Sequence, residues 1–502
     1  METKELIKAF VEKNGLIGHQ SASYNEFIES GLQHVVDEMQ VITPEIEGFE
    51  IHLGNIKVGK PSVKEANGQV RTIMPNEARL RDLNYAAPIF LEMTPIRNDT
   101  EMEKIRPKIG EIPVMLKSNI CNLTELIKGK TPEETQKELI KAGEDPDDPG
   151  GYFIVNGTER VLVLVEDLAA NKMNMEKITI GTYTDSIRVF SESGWVRRRN
   201  SIDRKKDGSL VIDMPPFSKP VPFIVGMRAL GMERDADIVK TVSEDPRVTT
   251  ELYVSFEEAT EAESPDDSLD YLGKRVAFGQ TRSDRIDRAK RVLDSFLLPH
   301  MGTSAEDRRK KAYYLAKMAE RTIKLHLGMM DIDDKDHYAN KRLRLAGGLL
   351  EDLFRVAFRA LINNTIYSLE KAYKRNRKIS VLTAIRSNFL TERIQHAIAT
   401  GAWVGNRQGV SQHLDRMNYL AALSHRRRVR SLLSTTQPHF EARDLHATHW
   451  GRLCPNETPE GSNIGLVKNL AITAKITNEA DDALIEDTLR KKGITIQDKK
   501  GK

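Results

Sequence analysis

Residues 409–430 read GVSQHLDRMNYLAALSHRRRVR, and residues 443–470 read RDLHATHWGRLCPNETPEGSNIGLVKNL. In the first stretch Leu414, Met417, Tyr419, Leu420 and Leu423 suggest a helical run, which leads into the basic block His425 to Arg430. Arginine is a forked donor suited to phosphate and carboxylate alike. A block of this kind is either a solvated face or a nucleic-acid contact, and Arg407, Gln412, Arg416 and Arg443 lie close to it in sequence. The second stretch has no periodicity. Pro455, Pro459, Gly461 and Gly465 give it a stiff, irregular backbone, and loops both rigid and polar tend to carry function. His446, His449 and Cys454 offer three zinc-type ligands, but a fourth at standard spacing is missing. Glu457 and Glu460 offer an acid/base pair, without a nucleophile or metal framework to work on.

Outward from this block the chain alternates in character. Residues 1–50 read as short helices broken at Gly15 and Gly18, and strand-like sequence starts near residue 51. Pro75 and the run Ala78 to Leu83 separate that sequence from an apolar strand at Ile89-Phe90-Leu91. Thr131-Pro132-Glu133-Glu134 is a helix start with proline at the first position, predicting a helix over 131–142. Asn156-Gly157 between Tyr152–Val155 and Arg160–Leu164 predicts a tight hairpin. A second hairpin is expected at Asp207-Gly208, and 180–225 reads as mostly strand. Helical periodicity returns at Ile286–Leu297, Leu315–Ile323 and Leu350–Leu361. The acidic stretch 250–270, with Glu251, Glu257, Glu258, Glu261, Glu263, Asp266 and Asp267, reads as a linker or surface loop. Together these predict an α+β, multidomain chain, with roughly three domains for its 502 residues.

The composition is 39% hydrophobic and 30% charged, which excludes a disordered polyelectrolyte. Net charge is only +3. Its distribution is more informative, because basic runs at 196–206 and 424–430 contrast with the acidic 250–270. The two cysteines, Cys121 and Cys454, cannot form a four-cysteine zinc site, and reduced thiols are expected. The N-terminus has no apolar signal region, and no run approaches the ~18 apolar residues of a membrane span. A cytoplasmic location is therefore expected.

Two further motifs carry weak signals. Gly129-Lys130-Thr131 resembles the end of a phosphate loop, but Thr124 stands where the loop needs its first glycine. A turn before the helix is the favoured reading. Asp331 to His337 gathers four carboxylates and an imidazole. A calcium loop fails there because Lys335 takes a ligand position and no glycine follows. Lys341, Arg342 and Arg344 favour structural ion pairing.

The opening block resembles the fork region of second-largest subunits of multisubunit, archaeal-type RNA polymerases. The residues that carry the resemblance are Gly409 to Gln412, Leu414 to Leu420, Leu423 to Arg427, Arg443 to His446, Thr448 to Arg452, Cys454-Pro455, Glu457 to Gly461 and Asn463 to Leu466. Three further blocks agree in order: Glu77-Ala78-Arg79-Leu80-Arg81, Pro149 to Gly157, and Asp333 to Arg344. The first fork loop departs from the family's Thr-Gly-Asn-Trp pattern and reads Thr400-Gly401-Ala402-Trp403.

The resemblance implies a protrusion (1–165 and 336–400) with a lobe inserted (166–335). It implies a mainly helical and loop-rich fork at 401–470, then the start of an external region with a charged tail at 471–502. The chain is similar to the N-terminal piece of a second-largest subunit encoded as two chains, and a truncated chain has the same appearance. By resemblance, the Mg²⁺-binding carboxylates lie on the largest subunit, so neither a cofactor nor a complete active site is expected on this chain. The implied partners are the largest subunit, a C-terminal companion chain, other polymerase subunits, initiation factors, DNA and RNA. The implied nucleic-acid contacts are Gln412, Arg416, His425, Arg427, Arg428, Arg443 and Asn463. Asp415, Glu457, Pro459, Glu460 and Gly461 are expected to shape the fork. A free-standing nucleic-acid-binding or assembly protein derived from such a subunit is the alternative.

Overall fold

The computed structural model describes residues 3–178, 181–194, 196–377, 380–477 and 482–494. The chain forms two compact units: Met1–Glu166 with Leu343–Lys502, and Asp167–Arg342, which is inserted between them in sequence. Residues 478–481 and 495–502 of the expected external region and charged tail lie outside the described residues.

The first unit is built on an antiparallel sheet in the order Val41–Ile42, Phe49–Val58, Ala86–Arg97 and Thr100–Glu101, with Lys108–Pro113 also pairing Ala86–Arg97. Ile51, Ile89, Leu91, Ile109 and Ile112 are buried from it and share one core with the 29-residue helix Ala346–Lys374. That helix buries Leu350, Leu353, Phe354, Ala357, Phe358 and Leu361 at i, i+3 and i+4 spacing. Phe354 and Phe358 stack with ring centroids 5.5 Å apart. Burying each such aromatic contributes about 1.5–3 kcal/mol. Gly347 is required near the start of this helix: a Cβ there would lie 2.0 Å from the Ser23 carbonyl oxygen, and Ser23 Oγ accepts the Gly347 N–H at 2.9 Å.

The expected Asn156-Gly157 hairpin forms. Phe153–Val155 pairs Thr158–Leu162, with φ of 49° at Asn156 and 69° at Gly157. Strand Ser411–His413 adds to its other edge, Gln412 opposite Val161. Arg428–Ser431 runs parallel to the chain at Leu164–Glu166 and antiparallel to Val467–Asn469. The 401–470 segment is thus stitched to the hairpin by short strands, with helix Tyr419–Arg426 between them. The helix starts later than the apolar run implied, because Asn418 caps it by accepting the Ala421 N–H at 2.7 Å. The helix Pro132–Lys141 starts as read, in a capping box between Thr131 and Glu134.

The second unit has a five-stranded antiparallel sheet, Met173–Lys177, Tyr183–Ser193, Val196–Lys205, Leu210–Asp213 and Val221–Pro222. The sheet and its helices share one core, to which Arg282–Phe296 and Arg308–His326 contribute Leu293, Leu315 and Ile323.

The linker reading of 250–270 is corrected. The stretch holds the end of helix Pro246–Tyr253, a 3-10 turn Val254–Ala259 and half of helix Pro265–Val276. Three of its acids serve the fold: Glu251 pairs Arg204 at 2.7 Å, Glu258 pairs Lys205 at 2.5 Å, and Asp267 sits in the first turn of a helix capped by Ser264. Leu252, Ala259, Ala262 and Leu269 between them are buried.

The Asp331–His337 acids also serve local structure. Asp333 Oδ2 accepts the Met175 N–H at 3.0 Å, and Asp334 Oδ1 accepts the N–H groups of Asp336 and His337. Lys341 pairs with Asp336 at 3.0 Å. No group of three or more His, Cys, Asp or Glu side chains arranged to hold a metal occurs among the described residues, either here or around His446, His449 and Cys454.

Candidate nucleic-acid interface

The basic block is not one solvated face. The chain leaves helix Tyr419–Arg426 and enters strand Arg428–Ser431 inside it, so successive side chains turn to different surroundings. Ala422 and Arg426 point inward from the helix. Arg426 Nε donates to the Ala422 carbonyl at 2.9 Å, and Nη1 donates to Asp148 Oδ1 at 2.6 Å and to the Gly150 carbonyl at 2.7 Å.

His425 is 4% exposed. Its Nδ1 accepts the Asp415 backbone N–H at 3.1 Å, so the ring proton sits on Nε2, which donates to Gln412 Oε1 at 2.9 Å. Gln412 Nε2 then donates to the Gly409 carbonyl at 3.1 Å, which fixes the amide's orientation. Burial, with the nearby Arg428 charge, lowers the His425 pKa to about 4. The imidazole is therefore neutral near pH 7 and offers phosphate no charge.

Arg427 is 8% exposed. Its guanidinium clasps main-chain carbonyls, donating to Leu16, to Ala471 at 2.7 Å and to Ile472 at 3.4 Å. Arg443 does the same for the loop, donating to the carbonyls of Pro438 at 2.7 Å and of Ser462 and Ile464 at 2.8 Å. Arg416 grips Glu159 at 2.6 Å and Asp148 at 2.9 Å. Arg416, His425, Arg427 and Arg443, expected as nucleic-acid contacts, thus all have partners within the chain. Each is held by protein groups, and a phosphate would have to displace them.

Arg428 differs. It is half-buried at the start of its strand, and its guanidinium makes no hydrogen bond or ion pair among the described residues. Burial lowers its pKa, against the opposing pull of Asp415 and Glu457. A desolvated guanidinium with open donors is an anion-binding group awaiting a partner. Asn463 is exposed at the end of the 3-10 turn Gly461–Asn463, so its amide faces solvent. Asp415 Oδ1 accepts the Met417 N–H at 3.0 Å, turning the chain into the helix.

The proline-glycine strip is folded by its own hydroxyl. Thr458 Oγ1 donates to the Val467 carbonyl and accepts the Gly465 N–H, both at 2.9 Å. Glu457 accepts a hydrogen bond from Ser424 Oγ, tying the strip to the helix. Pro459, Glu460 and Gly461 form its exposed outer turn, with φ of +79° at Gly461.

Sequence reasoning missed Arg160. It sits opposite His413 on the hairpin, its Nε is buried without a hydrogen bond, and burial lowers its pKa. Only its place beside the Asn-Gly turn hinted at it, and turns seldom reveal which side chains are desolvated.

Residues 15–392 match the family described as RNA polymerase beta subunit, and residues 412–476 match RNA polymerase Rpb2, domain 3. The chain is 49% identical over 494 residues to the DNA-directed RNA polymerase subunit Rpo2 of Saccharolobus solfataricus, covering 98% of this chain and 43% of that one. It is 48% identical over 502 residues to subunit Rpo2N of Methanocaldococcus jannaschii, covering 98% and 99%. To Rpo2N of Halobacterium salinarum it is 44% identical over 499 residues, covering 96% and 93%. The chain thus spans less than half the length of the Rpo2 relative and nearly all of the two Rpo2N relatives.

Proposed function

The chain belongs to the RNA polymerase beta-subunit family, and from that premise we propose that it is a subunit of a DNA-dependent RNA polymerase that lines the cleft holding template DNA and the RNA–DNA hybrid. The reaction is nucleotidyl transfer. Mg²⁺ held by the largest subunit would stabilise the attacking and leaving oxygens, and this chain supplies position and charge. Arg428 neutralises a phosphate of the hybrid. Asn463 adds the hydrogen bonds of its exposed amide, and Gln412 the second N–H of an amide whose first is held by the Gly409 carbonyl. Arg416, His425, Arg427 and Arg443 hold the surface that presents those three. Such contacts ignore base identity, as a polymerase that copies any sequence requires, and they weaken with salt.

The observation that supports this reading best is the Arg428 guanidinium, which makes no hydrogen bond or ion pair among the described residues while Arg426, Arg427 and Arg443 are held by protein groups. In this reading 1–165 and 336–400 form the protrusion, 166–335 the lobe and 401–470 the fork. The partners are the largest subunit, a C-terminal companion chain, other polymerase subunits and initiation factors. No helix among the described residues is long and apolar enough to cross a membrane, which suits work on cytoplasmic DNA.

Affinity purification of the tagged chain from its host tests the assignment. It should bring down the largest subunit and a companion chain, together with template-dependent RNA synthesis. Recovery of the chain bound to nucleic acid alone, without synthesis, would favour a free-standing binding protein.

A further inference from the structure

Three stretches that lie far apart in sequence meet at the ring of Tyr152. The Arg416, Arg426 and Arg79 guanidinium carbons lie 5.0, 5.6 and 6.0 Å from its centroid. The Tyr152 hydroxyl accepts from Arg79 Nη2 at 2.8 Å and donates to Asp148 Oδ2 at 3.0 Å. Asp148 also accepts from Arg426, Arg416 and the Gly150 N–H, the last at 3.0 Å. Burial pushes this carboxyl up, but Arg426, the Gly150 N–H and Arg416 together hold it at about 2.

Stability alone is a poor account of the cluster. Apolar side chains of like volume commonly replace a buried ion pair without loss. Here one buried arginine donor, Arg426 Nη2, is even left without a partner. A buried polar network does fix one geometry, because its members bond only in one arrangement. The element fixed here is the turn from helix Tyr419–Arg426 into strand Arg428–Ser431. Arg426 anchors one side of it to Asp148, Arg427 anchors the middle to carbonyls, and Arg428 comes next.

We infer that Asp148 and Tyr152 are positioning residues: they hold Arg426, and through it the turn, so that the Arg428 guanidinium stays aimed at the hybrid. The inference rests on the proposed role of Arg428. Its test uses the complete reconstituted polymerase on a preassembled RNA–DNA scaffold, reading the lifetime of the elongation complex. Asp148→Asn and Tyr152→Phe are each made with Arg428 present and with Arg428→Ala. Either change should shorten the lifetime about tenfold when Arg428 is present and less than about twofold when it is absent, the non-additivity expected of coupled groups. Equal losses in both backgrounds would overturn the inference and leave the role of Arg428 standing. No effect of either change with Arg428 present would overturn it equally. No loss from Arg428→Ala itself would remove the reading beneath it. Tyr152→Phe deletes one hydroxyl and keeps the ring, so it decides the matter if the Asp148→Asn chain fails to assemble.

Discussion

The Arg426 guanidinium donates to the Asp148 carboxylate at 2.6 Å across 278 positions of chain, with the arginine side chain wholly out of solvent. Leaving one partner of such a pair alone in the interior costs about 3–5 kcal/mol. Asp148 keeps Arg416, Tyr152 and the Gly150 N–H when Arg426 is removed, so Arg426→Ala should lower the unfolding free energy of the first unit by the low end of that range, about 3 kcal/mol. The readout is denaturant unfolding followed by the buried Trp403, with Trp195 and Trp450 changed to phenylalanine. The Arg426→Ala/Asp148→Ala double variant should lose less than the sum of the two single losses.

Acid should destabilise the first unit in a defined window. Burial, reinforced by a neighbouring arginine, holds both His19 and His425 at about 4, against 6.5 for a free imidazole. Between those values the unfolded chain binds protons that the folded chain refuses, so stability falls as pH falls from 6.5 to 4. Each histidine contributes a slope of about 1.4 kcal/mol per pH unit there. His425→Gln should remove about half of their joint slope in that window. Asp148, held at about 2 against 3.8, contributes stability that is lost only at lower pH, as its carboxyl protonates. A separate, more acidic loss that disappears in Asp148→Asn would identify it.

Local signals were legible in the sequence. The Asn156-Gly157 turn, the Thr131-Pro132 helix start and the long helices each follow from residues within a few positions of one another. The acidic stretch was misread because its acids hide the spacing of Leu252, Ala259 and Leu269, and because their partners Arg204 and Lys205 lie about 50 positions upstream. The arginine block was legible as a place and not as a geometry. Which arginines are committed depends on Asp148, Leu16 and Ala471, none of them near in sequence. A run of like residues that crosses from helix to strand also changes the side it faces midway.

The loop closed by Arg443 should open when Gly465 gains a side chain. Gly465 has φ of +71°, and a Cβ there would lie 2.3 Å from the Arg443 carbonyl oxygen. Gly465→Ala should expose residues 432–466 to proteolysis about tenfold faster, a loss of local stability on the order of 1.4 kcal/mol. Arg443→Ala, which removes the carbonyl clasp, should yield the same fragments. Cleavage at wild-type rates in both variants would show that the loop is held by something else.

The sharpest measurement is the salt dependence of elongation-complex stability for the assembled polymerase carrying Arg428→Ala. If the uncommitted guanidinium of Arg428 meets a hybrid phosphate, the slope of log stability against log salt should become shallower by about 1, and transcript should be released sooner at moderate salt. A correctly assembled variant enzyme with the slope and transcript retention of the wild type would contradict the account.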